Sequence, residues 1–175
     1  MWTPEVPRDE DAAPPHLHHP ENYVLWDVDR VERVSFIVHG EPVAQGSKRV
    51  FRTPQGKINT TDQSPKLKPW RQEIVGVIEA YDLAVRLSGP VQVDLDFYFS
   101  RLKGHYGTGR NADVLKANAP DYVAVRPDAD KLARAALDAI TMGGLIMDDA
   151  AVAVLTVTKR YAERPGMRVT VRRLA

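Results

Sequence analysis

Between residues 91 and 100 the side chains alternate without a fault. Val91, Val93, Leu95, Phe97 and Phe99 fall on one side of an extended chain, and Gln92, Asp94, Asp96, Tyr98 and Ser100 fall on the other. Successive residues of a strand point to opposite faces, so this pattern is a strand with one apolar face and one wet face. A sheet built on it needs a second layer to cover the apolar side. Asp94 and Asp96, an i, i+2 pair, are read as part of the wet face.

Two helical stripes can supply that layer. Trp70, Ile74, Val77, Ile78 and Tyr81 recur at helical spacing, with Pro69 suited to the first turn. Leu132, Ala136, Ala139, Ile140 and Gly143 form a second stripe after Arg126-Pro127, stopped by Gly143-Gly144. A further strand is expected over 34–39, ending at Gly40. Val50-Phe51 and Ile58 are expected to pair as a short hairpin around Pro54–Gly56. Val152–Tyr161 is rich in β-formers, and Arg164-Pro165-Gly166 is predicted to turn it directly onto Val169 and Val171 as a hairpin. The order reads as one α+β domain, a mixed or antiparallel sheet packed with two main helices, over residues 31–175. Residues 101–125 are a long basic connection, of the length that is usually functional or mobile.

Charge divides the chain of 175 residues. The first 33 hold eight acidic and three basic side chains, and the rest hold 15 acidic and 21 basic ones. Residues 1–30 carry five of the 13 prolines and three of the five histidines without periodicity, and read as a flexible acidic leader. His16, His18 and His19 are better explained as a solvated tail than as metal ligands. The basic remainder points to a polyanionic partner. From Glu41 to Arg71 seven bases (Lys48, Arg49, Arg52, Lys57, Lys66, Lys68 and Arg71) face two acids. With no cysteine, disulfides, thiolate metal sites and a thiol nucleophile are excluded. The opening MWTPEVPRDEDAAPP has no basic and apolar signal pattern, and no apolar run reaches membrane-spanning length, so a cytoplasmic protein with no membrane partner is expected.

The chemistry concentrates in RPDADKLARAALDAITMGGLIMDDA, residues 126–150. Pro127 disfavours helix at Arg126, so Asp128 is expected just before a helix or as its N-cap, with Asp130 in the first turn. The path out of that helix returns to Asp148-Asp149. Two carboxylates about 4 Å apart repel by roughly 4 kcal/mol at an effective dielectric near 20, a cost that a cation between them removes. Mg²⁺ takes oxygen ligands, commonly one or two carboxylates with substrate phosphate. The same acids also fit plain roles. Aspartate stabilises helix starts, Asp-Asp makes an ordinary turn, and Arg134 is placed to bridge Asp130 and Asp138 along one helix face.

This block resembles the RusA-type Holliday junction resolvases, the crossover junction endodeoxyribonucleases. The similarity rests on Asp128-x-Asp130, the helix with Ala136-Leu137-Asp138-Ala139-Ile140, and Asp148-Asp149 beginning 18 positions beyond Asp130. The stretch His39-Gly40-Glu41-Pro42 leading to Lys48-Arg49 is also similar, and the resemblance spans about residues 34–173. It implies a small homodimeric endonuclease needing Mg²⁺, or Mn²⁺ in its place, that cuts four-way DNA junctions in pairs. By position it implies Asp128, Asp130 and Asp149 as essential carboxylates and metal ligands, with Asp148 adjacent. The basic residues from Lys48 to Arg71, and Lys131, would then grip DNA. Two positions depart from the pattern: Lys131 stands where the family usually has asparagine, and Arg134 where it has lysine. Arginine stays protonated in proteins and cannot act as a general base, but it can hold a phosphate. A catalytically weak or inactive protein that binds junction or duplex DNA is the alternative reading.

Overall fold

The alternating strand is the middle of the molecule. The structure, a computed structural model, describes residues 33–46, 49–52, 58–61, 64–83, 87 and 89–174, with only the backbone described over 49–52 and 58–61. The leader over 1–30, Lys48, Lys57 and the Pro54–Gly56 turn lie outside the described residues, as do the side chains of Arg49 and Arg52.

Among the described residues six strands and two longer helices follow in order: β1 Arg33–His39, β2 Arg49–Arg52, β3 Ile58–Thr61, α1 Leu67–Ala80, β4 Val91–Ser100, α2 Ala129–Met142, β5 Val152–Ala162 and β6 Gly166–Arg173. β2 and β3 pair antiparallel, as expected for the hairpin. The others form one mixed sheet in the order β1-β6-β4-β5, with β4 and β5 parallel and the remaining pairs antiparallel. A parallel neighbour requires a crossover, and residues 101–151, including α2, provide it.

The register aligns three rows of side chains across the sheet. Val34, Val171, Val93 and Leu155 make one row; Phe36, Val169, Leu95 and Val157 the next; Val38, Met167, Phe97 and Lys159 the third. Both helices cover this face, because Trp70, Ile74 and Ile78 of α1 and Leu132, Ala136, Ala139 and Ile140 of α2 are buried in the same core. The opposite face carries Ser35, Gln92, Asp94, Asp96 and Thr170. There Ser35 and Thr170 share a 2.9 Å hydrogen bond, Gln92 donates to Asp94 at 2.8 Å, and Thr158 donates to Asp96. Asp94 and Asp96 therefore belong to the wet face, as their alternation requires.

The hairpin predicted between the last two strands does not form. β4 lies between β5 and β6, and Glu163–Pro165 arches over its end. Ala162 sits beside Ser100 and Gly166 beside Tyr98, so the link crosses two strand spacings, about 9.5 Å. Four Cα steps of about 3.8 Å cover that distance. Burial selects the order. β6 buries Met167, Val169, Thr170 and Val171 and takes an inner position. β5 takes the edge and leaves Val154 and Leu155 each 43% exposed.

The long connection is ordered by its own hydrogen bonds. Short 3-10 turns form at Lys103–His105 and Gly109–Asn111. Gly107 N–H donates to Val114 O at 2.9 Å and Lys116 N–H to His105 O at 2.9 Å. Lys116 Nζ reaches Gly104 O at 2.8 Å.

At the landing point of the arch, a Cβ on Gly166 would stand 2.7 Å from the Val38 carbonyl oxygen, a backbone atom fixed by the ladder. Gly166→Ala is expected to destabilise the fold by about 1–3 kcal/mol, the usual cost of overpacking. Urea unfolding will read this as a lower midpoint with an unchanged m-value.

Candidate active site

Pro127 fixes where α2 begins. Asp128 is the N-cap, with extended backbone (φ −69°, ψ 139°), and its carbonyl accepts the first helical bond from Leu132 N–H at 3.1 Å. Its carboxylate makes no capping bond to the helix backbone. It pairs with Lys131 Nζ at 2.8 Å, both side chains being about half exposed. The Lys131 hydrogen bond, then the Lys131 charge, holds the Asp128 carboxyl below the usual carboxylate range, with smaller help from Arg126 and Lys159. Asp130 is exposed in the first turn.

The second acidic group follows α2. Gly144 takes the left-handed conformation (φ 76°) that ends the helix, and Leu145 and Ile146 return into the core. The chain then emerges at Asp148, which caps a 3-10 turn over Asp149–Ala151 by accepting Ala150 N–H at 2.8 Å. That bond lowers the Asp148 carboxyl, and a hydrogen bond shared with Asp149 lowers it further. Asp149 is the other member of the pair. The shared hydrogen bond with Asp148 pushes its carboxyl above the usual range, and desolvation and the charges of Asp148 and Asp138 add to this.

Asp138 does not reach Arg134. It pairs with Arg71 of α1, so the bridge between helices replaces the bridge along α2 that the spacing allowed. Arg71 is 17% exposed and committed to this contact. Arg134 is exposed and makes no salt bridge among the described residues. Lys66 and Lys68 are exposed at the start of α1.

The structure thus brings Asp148 and Asp149 together, sets Asp138 near them, and gives Asp128 a basic neighbour. Among the described residues no three acidic or histidine side chains stand close enough to share one ion. The donors are all carboxylate oxygens, which suits a hard cation such as Mg²⁺. The adjacent Asp148 and Asp149 carboxyls, with Asp138 near them, crowd negative charge that a dication relieves. This set fits an ion held by few carboxylates with phosphate and water completing its shell, not a closed protein cage. The acids lie on an exposed surface. Two depressions of about 580 and 560 Å³ lie elsewhere, one on the wet sheet face beside Asp94 and Arg168, the other beside His39 and Trp70.

One residue beside the candidate site escaped the sequence reading. Lys159 of β5 donates from Nζ to Val125 O and Pro127 O, each at 2.8 Å, next to Asp128. Its signal was a charge in the row of Val38, Met167 and Phe97, where an apolar residue is expected.

The family model described as "Endodeoxyribonuclease RusA" matches residues 39–172. The chain is also similar to the uncharacterized protein YqaN of Bacillus subtilis (strain 168), at 29% identity over 142 residues that cover 81% of this chain and 97% of the relative.

Asp148→Asn is expected to bring the Asp149 carboxyl back down toward the ordinary carboxylate value, because it removes the like charge and the shared proton. The signs differ within the cluster. Asp149, raised in the fold, contributes stability at low pH that is lost as pH rises through its folded value. Asp128 and Asp148, lowered in the fold, contribute stability above the unfolded carboxylate value that is lost as pH falls through theirs. An NMR titration of the aspartate carboxyl carbons in both proteins measures these directions.

Proposed function

The chain belongs to the RusA endodeoxyribonuclease family, and on that footing we propose that it is a divalent-metal-dependent, structure-specific endonuclease that resolves four-way DNA junctions by paired phosphodiester cuts. The observation that carries this reading is the family match over residues 39–172, a span that contains Asp128, Asp130 and Asp149. Their exposed setting suits the backbone of a large polyanion better than a small enclosed ligand.

In this reading Mg²⁺, for which Mn²⁺ substitutes, would draw its protein ligands from Asp128, Asp130 and Asp149, with Asp148 beside them; no three of these stand together among the described residues, so one or two carboxylates would bind an ion whose shell phosphate and water complete. When bound, such an ion polarises the phosphodiester, lowers the pKa of water and stabilises the departing 3′-oxygen. The carboxylates orient the site and carry its negative charge. Arg134 contacts the scissile phosphate through a planar guanidinium that matches phosphate oxygens. Lys66 and Lys68, with Lys48, Arg49, Arg52 and Lys57 of the preceding segment, neutralise flanking phosphates, and Lys131 adds a contact at the site. Arg71 serves mainly to tie α1 to α2. Ends bearing 5′-phosphate and 3′-hydroxyl follow from this chemistry. A four-way junction has approximate two-fold symmetry, so a C₂ homodimer would present two related sites. Among the described residues no helix is long and apolar enough to cross a membrane; action on DNA in the cytoplasm is part of the proposal.

A labelled synthetic junction incubated with the protein and Mg²⁺ tests the reading, with symmetric nicks in opposite strands as the expected product. Binding without nicking, with Mg²⁺ or Mn²⁺ supplied, would favour a non-cutting junction binder, the alternative that Arg134 in place of the family's lysine motivates. Asp130→Asn is expected to remove several kcal/mol of metal-dependent transition-state stabilisation, roughly 10³-fold in rate, while junction binding persists. Arg134→Lys is expected to preserve or raise the rate, and single-turnover cutting measures both variants. If six to ten phosphates are neutralised, affinity should fall by about 10³–10⁵ between 50 and 200 mM salt.

A further inference from the structure

The geometry points to Lys159 as a positioning residue of the acidic site, one that fixes the extended approach to α2 and through it the Asp128 carboxylate. This rests on the reading of Asp128 as a site residue.

Lys159 ends the row Val38, Met167, Phe97 on the face covered by the helices. An ammonium there needs acceptors, and it finds two carbonyls, Val125 O and Pro127 O, both at 2.8 Å. The segment that provides them runs beside the end of β5. Tyr161 N–H donates to Asp121 O at 2.9 Å and Val123 N–H donates to Lys159 O at 3.0 Å. Arg160 donates to the Tyr122 hydroxyl at 2.9 Å and lies 4.8 Å from that ring's centre. The backbone ties end at Val123, and Lys159 supplies the two attachments between there and Asp128. Pro127 has no N–H, so its carbonyl is its one backbone hydrogen-bonding group, and Lys159 takes it. Asp128 is the next residue; its backbone is extended, and its carboxylate pairs with Lys131 and makes no capping bond to the helix backbone.

A partner that orients a site residue through its backbone is expected to act on metal response and rate together, by about 10–100-fold when removed, without a large effect on substrate affinity. The test uses the full chain with Lys159→Met and Lys159→Arg. Hydrogen exchange over residues 124–130, Mn²⁺ binding, metal-free junction affinity and the Mg²⁺ dependence of cutting are measured for each. Lys159→Met should exchange faster at 124–130, bind Mn²⁺ more weakly, need more Mg²⁺ for half-maximal cutting and cut more slowly, with junction affinity unchanged. Lys159→Arg should restore exchange protection and Mn²⁺ binding. The proposal is overturned if Lys159→Met matches the unaltered chain in protection and Mn²⁺ binding. It is equally overturned if both variants merely lose thermal stability, with unchanged metal response below their melting temperatures. If the unaltered chain cuts no junction, the nuclease reading fails by itself, and exchange and Mn²⁺ binding still decide the role of Lys159.

Discussion

The acidic surface depends on how firmly α2 is seated on the sheet. The helix separates Asp128 at its start from Asp148-Asp149 beyond its end, with Asp138 between. Six of its 14 residues are buried, Leu132 and Ile140 completely. Burying one such side chain contributes about 1.5–3 kcal/mol. The Arg71–Asp138 contact to α1, partly exposed, contributes at most about 1 kcal/mol. Apolar packing therefore sets the spacing of the acids, and the ion pair refines which way Asp138 points. Gly143 completes the seat, since a Cβ there would come within 2.7 Å of Ile78 Cδ1, so the helices meet closely where α2 ends.

Once placed, the acids are handled unequally. Asp128 has Lys131, Asp138 has Arg71, and Asp148 has the Ala150 N–H. Asp149 has the Asp148 carboxyl as its main partner and Asp138 nearby, which outweigh a smaller contribution from the Ala150 N–H, and its proton is held more tightly as a result. Of the four, it is the one whose surroundings favour an added positive charge. The asymmetry follows from local geometry. The Ala150 N–H is the largest influence on Asp148 and only the smallest on Asp149, whose hydrogen bond with Asp148 dominates.

The strand over 91–100 and both helical stripes were legible because one side of each is fully apolar and the period is unambiguous. The N-cap at Asp128 was legible because proline restricts the residue before it. The order of the last strands was not. Arg164-Pro165-Gly166 announces a reversal, and a reversal does not say whether the strands become neighbours or step over a third. The information was present in another form, since Met167, Val169 and Val171 are apolar enough for an inner strand while Val152–Tyr161 carries exposed apolar and charged residues on both faces. Sequence also placed Arg134 between Asp130 and Asp138, but i, i+4 spacing names only the partners on the same helix. Arg71, 67 positions from Asp138, entered by tertiary packing.

The pairing of Asp128 with Lys131 bears on how the surface would respond to a ligand. Both groups are near half exposed, and exposed pairs gain little, because water screens the attraction and two side chains lose freedom. A doubly charged cation or a phosphate presents stronger competition for either member than each offers the other. The pair therefore serves as a resting arrangement that a ligand can open, whereas the Lys159 hydrogen bonds to backbone carbonyls contain no anionic member for a cation to capture. Lysine at both positions thus divides the work: one cation yields its carboxylate when something better arrives, and the other keeps the backbone beneath it in place.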